Sequence, residues 1–409
     1  MMGNDTLPED WEATTLGELF DFSNGVNADK TAYGRGIPFV NVLEIITHEA
    51  LVEGLIPGRI TLLADMTTRY CVRYGDVLFN RTSETQEEVG LASVYVGHAP
   101  VVFGGFVFRA RPKTNRLEVG YSKYALQVHS VREQIIARGQ GGIRSNIGQR
   151  DLKTVYVVLP PAGEQRAIAQ VLDDADKLVA TLEQLIAKKQ AIKQGIMQHL
   201  FTSHVDRRDF VPLRSVTSWL SGGTPNRSNA SYWSGTIPWI SATTLKKLEV
   251  ATSDQAVTPA AVTAGSKMAP LGSTLLLVRG SALHSEIRAS LVTSPVCFNQ
   301  DVKALVPSQA LIPKFLTYLI HGNADRLLRL VTSAGNTAGV LDTQVAKSFE
   351  VWIPSRTEQQ HVVTVLDDTF RELETLQSRL VKAKAVKQGM MQELLTGRTR
   401  LPATEAAHE

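Results

Sequence analysis

The chain contains one long segment twice, and this repeat limits its possible folds more than any other sequence feature. Glu164–Leu200 and Glu358–Leu394 align without a gap, with 16 identical positions that include VLDD, KQG and MQ. A solenoid stacks at least three short units, so two long copies do not fit that class. The sequence therefore predicts a duplicated globular domain, each copy followed by a long helix.

Shorter matches occur in the same order before each copy of the helix. They pair Ile37–Val40 with Ile237–Ile240, Gly75–Leu78 and Arg81 with Gly272–Leu275 and Arg279, Pro100–Phe103 with Pro295–Phe298, and Leu159-Pro160 with Ile353-Pro354. The predicted segments are two globular domains (1–158 and 204–352), two spacer helices (159–203 and 353–397) and a flexible tail (398–409). The helices diverged little and the globular parts diverged much, which suggests one shared structural role and two recognition tasks.

Both long segments show apolar residues at alternating steps of three and four, the spacing of a helix that pairs with another helix. The predicted pairing residues of the first helix are Ile168, Val171, Leu178, Leu182, Leu185 and Ile192. Those of the second helix are Leu366, Phe370, Leu373, Leu380 and Met390. A helix of this length with a narrow apolar stripe is more than one small domain can cover, so we expect each helix to pair with its repeat.

Charge predicts the direction of this pairing. The first helix has Asp173 and Asp176 early and Lys189 late, and the second repeats the order, with acidic residues early and Lys387 late. Antiparallel pairing sets each acidic half against a basic half, whereas parallel pairing sets like charges together. We therefore expect an antiparallel coiled coil that holds the two domains at a fixed separation.

A glycine lies inside each helical pattern, at Gly195 and Gly389. Glycine costs about 1 kcal/mol relative to alanine in a helix interior. We expect close approach of another backbone at these positions, from the partner helix or from another subunit.

Composition excludes several classes of protein. No apolar run approaches the roughly 20 residues of a membrane-spanning helix, and the start of the chain lacks the pattern of a secretory signal. Cys71 and Cys297 lie far apart with no clustered ligands, which predicts buried, reduced thiols in a cytoplasmic protein and no zinc site.

No motif of a catalytic site is present. The sequence has no GxxxxGK[ST] phosphate loop, no GxGxxG, no HExxH and no GxSxG. The Asp173-Asp174 and Asp367-Asp368 pairs lie in the acidic halves of the helices and have no companion histidine, which favours a solvated or pairing face. We expect no catalysis, no metal and no cofactor in this chain.

The net charge of +3 is small, but it is unevenly distributed. Residues 1–108 contain 15 acidic and 6 basic side chains, and residues 109–153 contain 10 basic and 3 acidic ones. Residues 204–356 contain 15 basic and 9 acidic side chains. Such blocks are usually solvated faces, so charge permits nucleic-acid binding without establishing it.

The two helix starts, LPPAGEQRAIAQVLDD and IPSRTEQQHVVTVLDD, and the helix ends, KQGIMQHLFTS and KQGMMQELLTG, resemble the specificity subunits of Type I restriction–modification systems. The domain starts, with Trp11 and Gly17 and with Trp219 and Gly222, also fit. The second copy departs from the pattern in having Phe210 in place of tryptophan and Ser355 in place of a second proline.

The resemblance implies two target recognition domains of mixed α/β fold, each reading half of a bipartite, asymmetric site in double-stranded DNA. It also implies two methyltransferase subunits as partners, and restriction (translocase) subunits in the full complex. S-adenosylmethionine and ATP would then be bound by those partners.

Base reading needs side chains with two-atom hydrogen-bonding reach, and glycines let a loop come close to a phosphate. The candidate DNA-binding residues of the first domain are Arg81, Gln140, Arg144, Ser145 and Asn146, and those of the second are Asn226, Arg227, Arg279, Asn336 and Thr337.

Two other functions stay open at this point. The first is a non-catalytic coiled-coil adaptor whose duplicated domains bind proteins, which the charge reversal and the arginine-containing loops disfavour. The second is a module of a self-contained restriction enzyme, but no motor, nuclease or methyltransferase sequence accompanies the repeat.

Overall fold

The computed structural model describes residues 7–141, 144–202, 210–334 and 338–402. The chain forms two compact units: unit 1 comprises residues 1–182 and 379–409, and unit 2 comprises residues 183–378. The division between the units therefore falls inside each long helix and not at its ends. Among the described residues, no helix is both long and apolar enough to cross a bilayer.

Unit 1 is a mixed α/β unit. Its strands are β1 (Glu12–Thr15), β2 (Phe20–Asn24), β3 (Tyr33–Val40), β4 (Ala50–Leu51), β5 (Arg59–Ile60), β6 (Cys71–Val72), β7 (Val77–Asn80), β8 (Thr82–Ser83), β9 (Ala92–Tyr95), β10 (Val101–Phe103), β11 (Val107–Pro112), β12 (Ser145–Asn146) and β13 (Tyr156–Leu159). Its helices are α1 (Leu16–Leu19), α2 (Val42–Thr47), α3 (Ala64–Arg69), α4 (Val119–Ala125), α5 (His129–Arg138), α6 (Gln149–Lys153) and the first half of α7 (Ala162–Thr202). Residues 379–394, the second half of the last long helix, also belong to this unit.

Unit 2 has the same kinds of elements. Its strands are β14 (Phe210–Pro212), β15 (Thr217–Ser221), β16 (Ile237–Ile240), β17 (Glu249–Val250), β18 (Ala256–Val257), β19 (Lys267–Ala269), β20 (Thr274–Leu277), β21 (Arg279–Gly280), β22 (Ala289–Val292), β23 (Val296–Phe298), β24 (Val302–Pro307), β25 (Thr332–Ala334), β26 (Ala338–Val340) and β27 (Glu350–Trp352). Its helices are the second half of α7, α8 (Leu213–Val216), α9 (Pro259–Thr263), α10 (Pro313–Gly322), α11 (Ala324–Leu328), α12 (Thr343–Ser348) and the first half of α13 (Arg356–Leu394).

The two units share one sheet topology. The five-stranded sheet has the order β2-β11-β7-β9-β4 in unit 1 and β15-β24-β20-β22-β17 in unit 2. The four-stranded sheet has the order β5-β3-β10-β6 in unit 1 and β18-β16-β23-β19 in unit 2. In both sheets of both units, the same corresponding pair of strands runs parallel (β4 with β9, β17 with β22, β3 with β10, β16 with β23). The predicted mixed α/β fold and the internal repeat are confirmed.

A buried glutamine fixes the start of each long helix to its own unit. Gln165 accepts a hydrogen bond from the Glu118 amide at 2.9 Å and donates through Nε2 to the carbonyls of Arg116 and Pro160 at 2.8 and 2.9 Å. Gln359 accepts from the Ile312 amide and donates to the carbonyls of Ala310 and Pro354 with nearly the same lengths. Both side chains are almost fully buried, so every bond replaces contact with water.

A tyrosine provides a second attachment in each unit. The Tyr124 hydroxyl donates to the carboxylates of Asp173 and Asp176 on α7, at 2.7 and 2.6 Å, and the Tyr318 hydroxyl donates to Asp367 on α13 at 2.5 Å. Burial, followed by these acidic partners, raises the pKa of both tyrosines. Of the aspartates predicted to form a solvated or pairing face, Asp173 and Asp367 therefore dock the helices on their units, whereas Asp174 and Asp368 are exposed.

The two long helices run antiparallel. In unit 1, Asp176 in the first half of α7 forms a salt bridge of 2.5 Å with Lys387 near the end of α13. In unit 2, Lys189 in the second half of α7 forms one of 2.8 Å with Glu372 in the first half of α13. Advancing along α7 thus means moving backward along α13, and the predicted direction is confirmed.

The prediction of which residues of α7 face inward is wrong at every second position, where the inward residue is the one that follows the predicted one. Leu178, Leu185 and Ile192 are 48%, 36% and 43% exposed. The inward positions are instead occupied by Leu172, Val179, Ile186 and Lys193, which are buried or half-buried. Ile168 and Leu182 are common to both stripes and are buried, and Val171 is half-buried. On α13, Leu366 and Leu373 are buried, and Phe370, Leu380 and Met390 are half-buried.

The helix glycines do not mark contact between the two helices. A Cβ placed on Gly195 or on Gly389 would meet no atom within 4 Å. The expected close approach of the partner helix is therefore wrong.

The segment after α13 is not a flexible tail over its described length, 398–402. Arg400 donates through Nε and Nη2 to the carboxylate of Glu164 at 2.8 Å each, and through Nη2 to Asp10 at 2.7 Å. The same Glu164 accepts from the Trp11 indole at 3.0 Å. The start of the chain and the segment after α13 are thus joined at the start of α7, all within unit 1.

Candidate nucleic-acid interface

The candidate residues of unit 1 lie at one edge of its five-stranded sheet. Here β2 and β7 end and β11 begins, because Asn24 pairs with Phe108 and Asn80 pairs with Val107. The loops that follow β2 and β7 and the turn between β10 and β11 meet at this edge. We call it the loop edge of unit 1.

Main-chain bonds join these loops to each other. The Arg81 amide donates to the carbonyl of Phe106 at 2.8 Å, and the Ile147 amide donates to the carbonyl of Arg81 at 3.0 Å. Ser145 and Asn146 in β12 pair with the two residues of β8. Arg81 and the 139–149 loop, which are far apart in the sequence, are thereby brought together.

The described residues on the two sides of the 139–149 loop pair in antiparallel fashion. Gln140 and Asn146 exchange two main-chain hydrogen bonds of 2.8 Å, and Gly141 adopts a positive φ of 127°. A Cβ on Gly141 would lie 2.0 Å from the Arg144 carbonyl oxygen, so a side chain at this position would not fit. Gln140, Arg144 and Asn146 are exposed, whereas Ser145 is buried, so the structure does not present the Ser145 hydroxyl as expected of a DNA-contacting group.

The exposed cations of this edge are free of carboxylate partners within the described residues. Arg81 and Arg144 form no salt bridge there, and the Arg81 guanidinium lies 5.7 Å from the centre of the Phe108 ring. Arg144 lines a cavity of about 330 Å³ together with Phe106, Ser83 and the acidic residue Glu84. Val42, Ile46 and Glu88 also line this cavity, so the edge combines a cation with apolar side chains and two carboxylates.

A buried arginine, which sequence reasoning missed, supports this edge from below. Arg132 on α5 donates to the carbonyls of Gly90, Glu87 and Val89 at 2.8 to 2.9 Å. Its burial lowers the pKa of the guanidinium to about 10. Arg132 thus fixes the loop between β8 and β9, and it acts by positioning that loop.

The positive balance of residues 109–153 belongs partly to the interior. Arg109 donates to the carbonyl of Cys71 at 2.5 Å, and Arg111 forms a salt bridge of 2.6 Å with Asp76. With Arg132, three of the basic side chains in this block therefore stabilise the fold. The charge reversal seen in the sequence overstates the cationic surface of unit 1.

The loop edge of unit 2 is built in the same way. The amides of Val278 and Arg279 donate to the carbonyl of Asp301, in the turn between β23 and β24, at 2.8 and 3.3 Å. Arg279 is exposed and lies in β21, which pairs with β26. The other two candidates of this edge, Asn336 and Thr337, lie outside the described residues.

A pair of tryptophans holds the remaining arginine of this edge. The Arg227 guanidinium lies 4.9 Å from the ring centre of Trp233 and 5.1 Å from that of Trp239. The Trp233 indole donates to the main-chain carbonyl of Asn226 at 3.2 Å, and the Asn226 side chain accepts from the amide and hydroxyl of Ser228. Arg227 is thus exposed but preorganised by cation–π contacts, and Asn226 mainly shapes the turn.

Unit 1 carries a smaller version of this arrangement. Tyr33 and Phe39 lie at the same spacing as Trp233 and Trp239, with ring centres 5.4 Å apart, and Asn27 takes the position of Arg227. The Asn27 side chain lies against the β10–β11 turn, since a Cβ on Gly105 would come within 1.9 Å of its Oδ1. Sequence reasoning missed Asn27, although its six-residue spacing to Tyr33 was a readable signal.

Unit 2 also contains a cleft of about 1060 Å³ beside the second half of α7. The helix contributes Gln190, Gln194 and Gln198, one turn apart. His321 on the opposite side is held by the Ala289 carbonyl at 2.8 Å, and burial lowers its pKa. Over the described ranges, no three histidine, cysteine, aspartate or glutamate side chains are arranged to hold a metal ion.

Comparison with known families gives one matching model, described as the Type I restriction modification DNA specificity domain. It matches residues 8–194 and again residues 209–383. The two matches correspond to the two copies of the internal repeat and together cover most of the chain.

Individual relatives match this chain at 28% to 30% identity over about half of its length. The EcoR124I/EcoR124II specificity subunit of Escherichia coli is 28% identical over 205 residues, which are 50% of this chain and 51% of that protein. The putative type I restriction enzyme MjaX specificity subunit of Methanocaldococcus jannaschii is 30% identical over 210 residues, 49% of this chain and 47% of that protein. The chain thus spans about half the length of the curated relatives it matches.

Among solved structures, the Type-I restriction-modification system S subunit from M. genitalium matches with a TM-score of 0.56 and 16% identity, over 96% of this chain and 98% of that chain. A chain from a structural study of complex assembly in the type I R-M system matches with a TM-score of 0.60 and 16% identity, over 96% and 100%. At this identity, the likeness establishes the fold.

Proposed function

Because this chain belongs to the Type I restriction modification DNA specificity family, we propose that it is a non-catalytic subunit that reads a bipartite, asymmetric site in double-stranded DNA. Each unit reads one half of the site with its loop edge. The catalytic steps, and the S-adenosylmethionine and ATP that they need, belong to partner subunits.

One observation carries this proposal: the two loop edges have the same backbone and different side chains. The Arg81 amide bonds to the carbonyl of Phe106, and the Arg279 amide bonds to the carbonyl of Asp301. Phe106 and Asp301 therefore occupy the same place in the two turns. A duplicated scaffold with different groups at equivalent positions is suited to reading two different words.

The chemistry of both edges suits base edges and phosphates. Arginine bonds guanine O6 and N7, and asparagine or glutamine bonds adenine N6 and N7. Arg144, Gln140 and Asn146 present these groups in unit 1, and Arg227 and Arg279 present them in unit 2. Cations that lack a carboxylate partner are also available to DNA phosphates.

The long helices support the proposed assembly with two methyltransferase subunits and, in the full complex, restriction subunits. Leu178, Leu185 and Ile192 are exposed and recur every seven residues, so they share one face of α7. Exposed apolar rows of this kind are typical of surfaces that another protein covers. Cytoplasmic location follows from the proposed access to DNA and remains part of the proposal.

The experiment that tests this function is to express the chain with its methyltransferase partner and to map methylated adenines across a genome. We expect a motif of two short words separated by a fixed gap. Replacing residues 12–150 with those of another family member should change one word and leave the other word unchanged. Methylation without a two-part motif would contradict the proposal, and partner binding without any DNA preference would favour the adaptor function.

A further inference from the structure

An exposed aromatic ring lies in the middle of the loop edge of unit 1. Phe106, in the turn between β10 and β11, is 62% exposed. It lines the cavity of about 330 Å³ that also contacts Arg144 and Ser83. A single exposed apolar side chain is common on a protein surface. This ring differs because it lies with Val42 and Ile46 in a cavity of the loop edge that also contains a cation, an arrangement suited to a ligand that has an apolar group.

The turn that carries Phe106 is fixed on several sides. Its carbonyl accepts from the Arg81 amide at 2.8 Å, and the amide of Gly104 donates to the carbonyl of Val40 at 3.0 Å. The backbone of Gly25 packs so close that a Cβ there would lie 2.0 Å from the Gly104 oxygen. The ring is therefore presented from a rigid position, which lowers the entropy that binding would cost.

The equivalent position in unit 2 carries a different kind of group. Asp301 accepts main-chain bonds from Val278 and Arg279, as Phe106 does from Arg81. Asp301 is half-buried, and its carboxylate accepts a hydrogen bond from the side-chain Nδ2 of Asn299 at 3.2 Å. In the major groove, phenylalanine packs against the methyl group of thymine, whereas aspartate accepts from the N4 amino group of cytosine.

We propose that Phe106 reads a thymine in the half-site of unit 1 by packing its ring against the thymine 5-methyl group in the major groove. Asp301 occupies the matching position for the half-site of unit 2, where its carboxylate suits a cytosine amino group. This proposal rests on the proposed function and adds to it the chemical class of base that one named turn position reads.

The test uses the full chain assembled with its methyltransferase partner and synthetic duplexes that carry the mapped site. Uracil, which lacks the 5-methyl group, replaces each thymine of the first word one at a time, on either strand. The initial rate of methyl transfer is measured at limiting duplex concentration. We expect one replacement to lower the rate of the unaltered protein about four-fold, as loss of one buried methyl group implies, and to leave the rate of Phe106→Ala unchanged.

Two matched variants control this experiment. Tyr74→Ala removes an aromatic ring that is 54% exposed and stacked on His98, beyond the opposite end of the same sheet, and it should keep the full uracil effect. Asp301→Ala should also keep the effect in the first word and relax the second word only. Since Phe106 is mostly exposed, thermal unfolding of Phe106→Ala should match that of the unaltered chain.

A second measurement covers the case in which Phe106→Ala is too inactive to assay. Genome-wide mapping with Phe106→Leu, which keeps an apolar contact, should retain the two-part motif with a reduced preference at the same single T·A pair. If no uracil replacement in the first word slows the unaltered protein, or if Phe106→Ala keeps the uracil effect, the proposal is overturned. Both results leave the two-part motif intact, so they differ from failure of the proposed function, in which no such motif is found.

Discussion

Unit 1 and unit 2 hold the long helices in the same way but differ in what they present at their loop edges. Gln165 and Gln359 make the same three hydrogen bonds at the two helix starts. At the loop edges, Phe106 and Asp301 lie on equivalent backbone but differ in chemistry. The attachment of each helix is therefore the same in both units, whereas the loop edges carry different side chains on sheets of the same topology.

The units also differ next to that shared glutamine. In unit 1, Glu164 is buried and holds Trp11 and Arg400. In unit 2, the equivalent Glu358 bonds to the amide and hydroxyl of Ser355 at the start of its own helix, at 3.0 and 2.8 Å. One glutamate thus joins distant segments and the other caps a helix, so a shared sequence position has acquired two roles.

The largest expected effect comes from lengthening both helices where the units divide. Seven residues inserted after Leu182 in α7 and seven before Arg379 in α13 preserve the contacts inside each unit. If the units are separate readers, methylation of the original site should be lost and a site with the same two words and a longer gap should replace it. Seven helical residues span about 10.5 Å, which corresponds to about three base pairs.

Genome-wide mapping of methylated adenines measures this outcome. Insertion of seven residues into α7 alone serves as the control, because it breaks the register of the antiparallel pair. Altered words with an unchanged gap would contradict the idea that the helices set the spacing.

The second largest expected effect is the loss of stability when the buried glutamine at either helix start is replaced. Gln165→Ala and Gln359→Ala each remove three hydrogen bonds made by a buried side-chain amide, which should lower the free energy of unfolding by about 3 kcal/mol. Denaturant unfolding of the full chain measures the loss. Gln170→Ala, an exposed glutamine on α7, should change stability by less than about 0.5 kcal/mol. If the two variants lose clearly different free energies of unfolding, the two helix attachments are not equivalent.

The smallest expected effect is the difference in stability cost between substitutions at Glu164 and at Glu358. Burial acts to raise the pKa of Glu164, but the hydrogen bonds from Arg400, Trp11 and the Leu401 amide outweigh it and hold the pKa below its ordinary value. Glu164→Gln should therefore cost about 2 kcal/mol at neutral pH, and Glu358→Gln, at an exposed helix cap, about 0.5 to 1 kcal/mol.

Titration checks the assignment of Glu164. A carboxyl group with a lowered pKa in the folded chain contributes its stability above the unfolded pKa, and this contribution is lost as the pH falls through the folded value. The gap in unfolding free energy between Glu164→Gln and the unaltered chain should therefore narrow as the pH drops below about 4.5. A gap that stays constant down to pH 3 would show that the charge of Glu164 does not stabilise unit 1.

Much of the fold was predictable because the repeat is explicit in the sequence. The antiparallel direction followed from the order of acidic and basic residues, and Asp176–Lys387 and Lys189–Glu372 are the contacts that express it. The stripe of α7 was less certain because apolar residues lie in adjacent pairs, such as Leu178 with Val179 and Leu185 with Ile186. Periodicity alone cannot decide which member of each pair faces inward.

The loop edges were predictable only in part. Arg81 and the 139–149 loop do meet, but the sequence offered no means of knowing that Arg109, Arg111 and Arg132 are bound inside unit 1. Phe106 was missed because Gly104 and Gly105 indicate a turn or bulge but do not indicate whether the ring that follows is exposed. The turn is held by tertiary contacts, such as the close packing of Gly25 against Gly104, which the sequence does not display.

Gly195 and Gly389 have a consequence for the subunit on its own. Each lies within a helix and has open space where a side chain would be, so no contact from the described part of the chain offsets the conformational freedom that these residues lose on folding. Alanine at both positions should make the isolated protein more stable by about 1 to 2 kcal/mol. The two glycines therefore lower the folding stability of the subunit on its own, and we expect binding of a partner subunit to raise it.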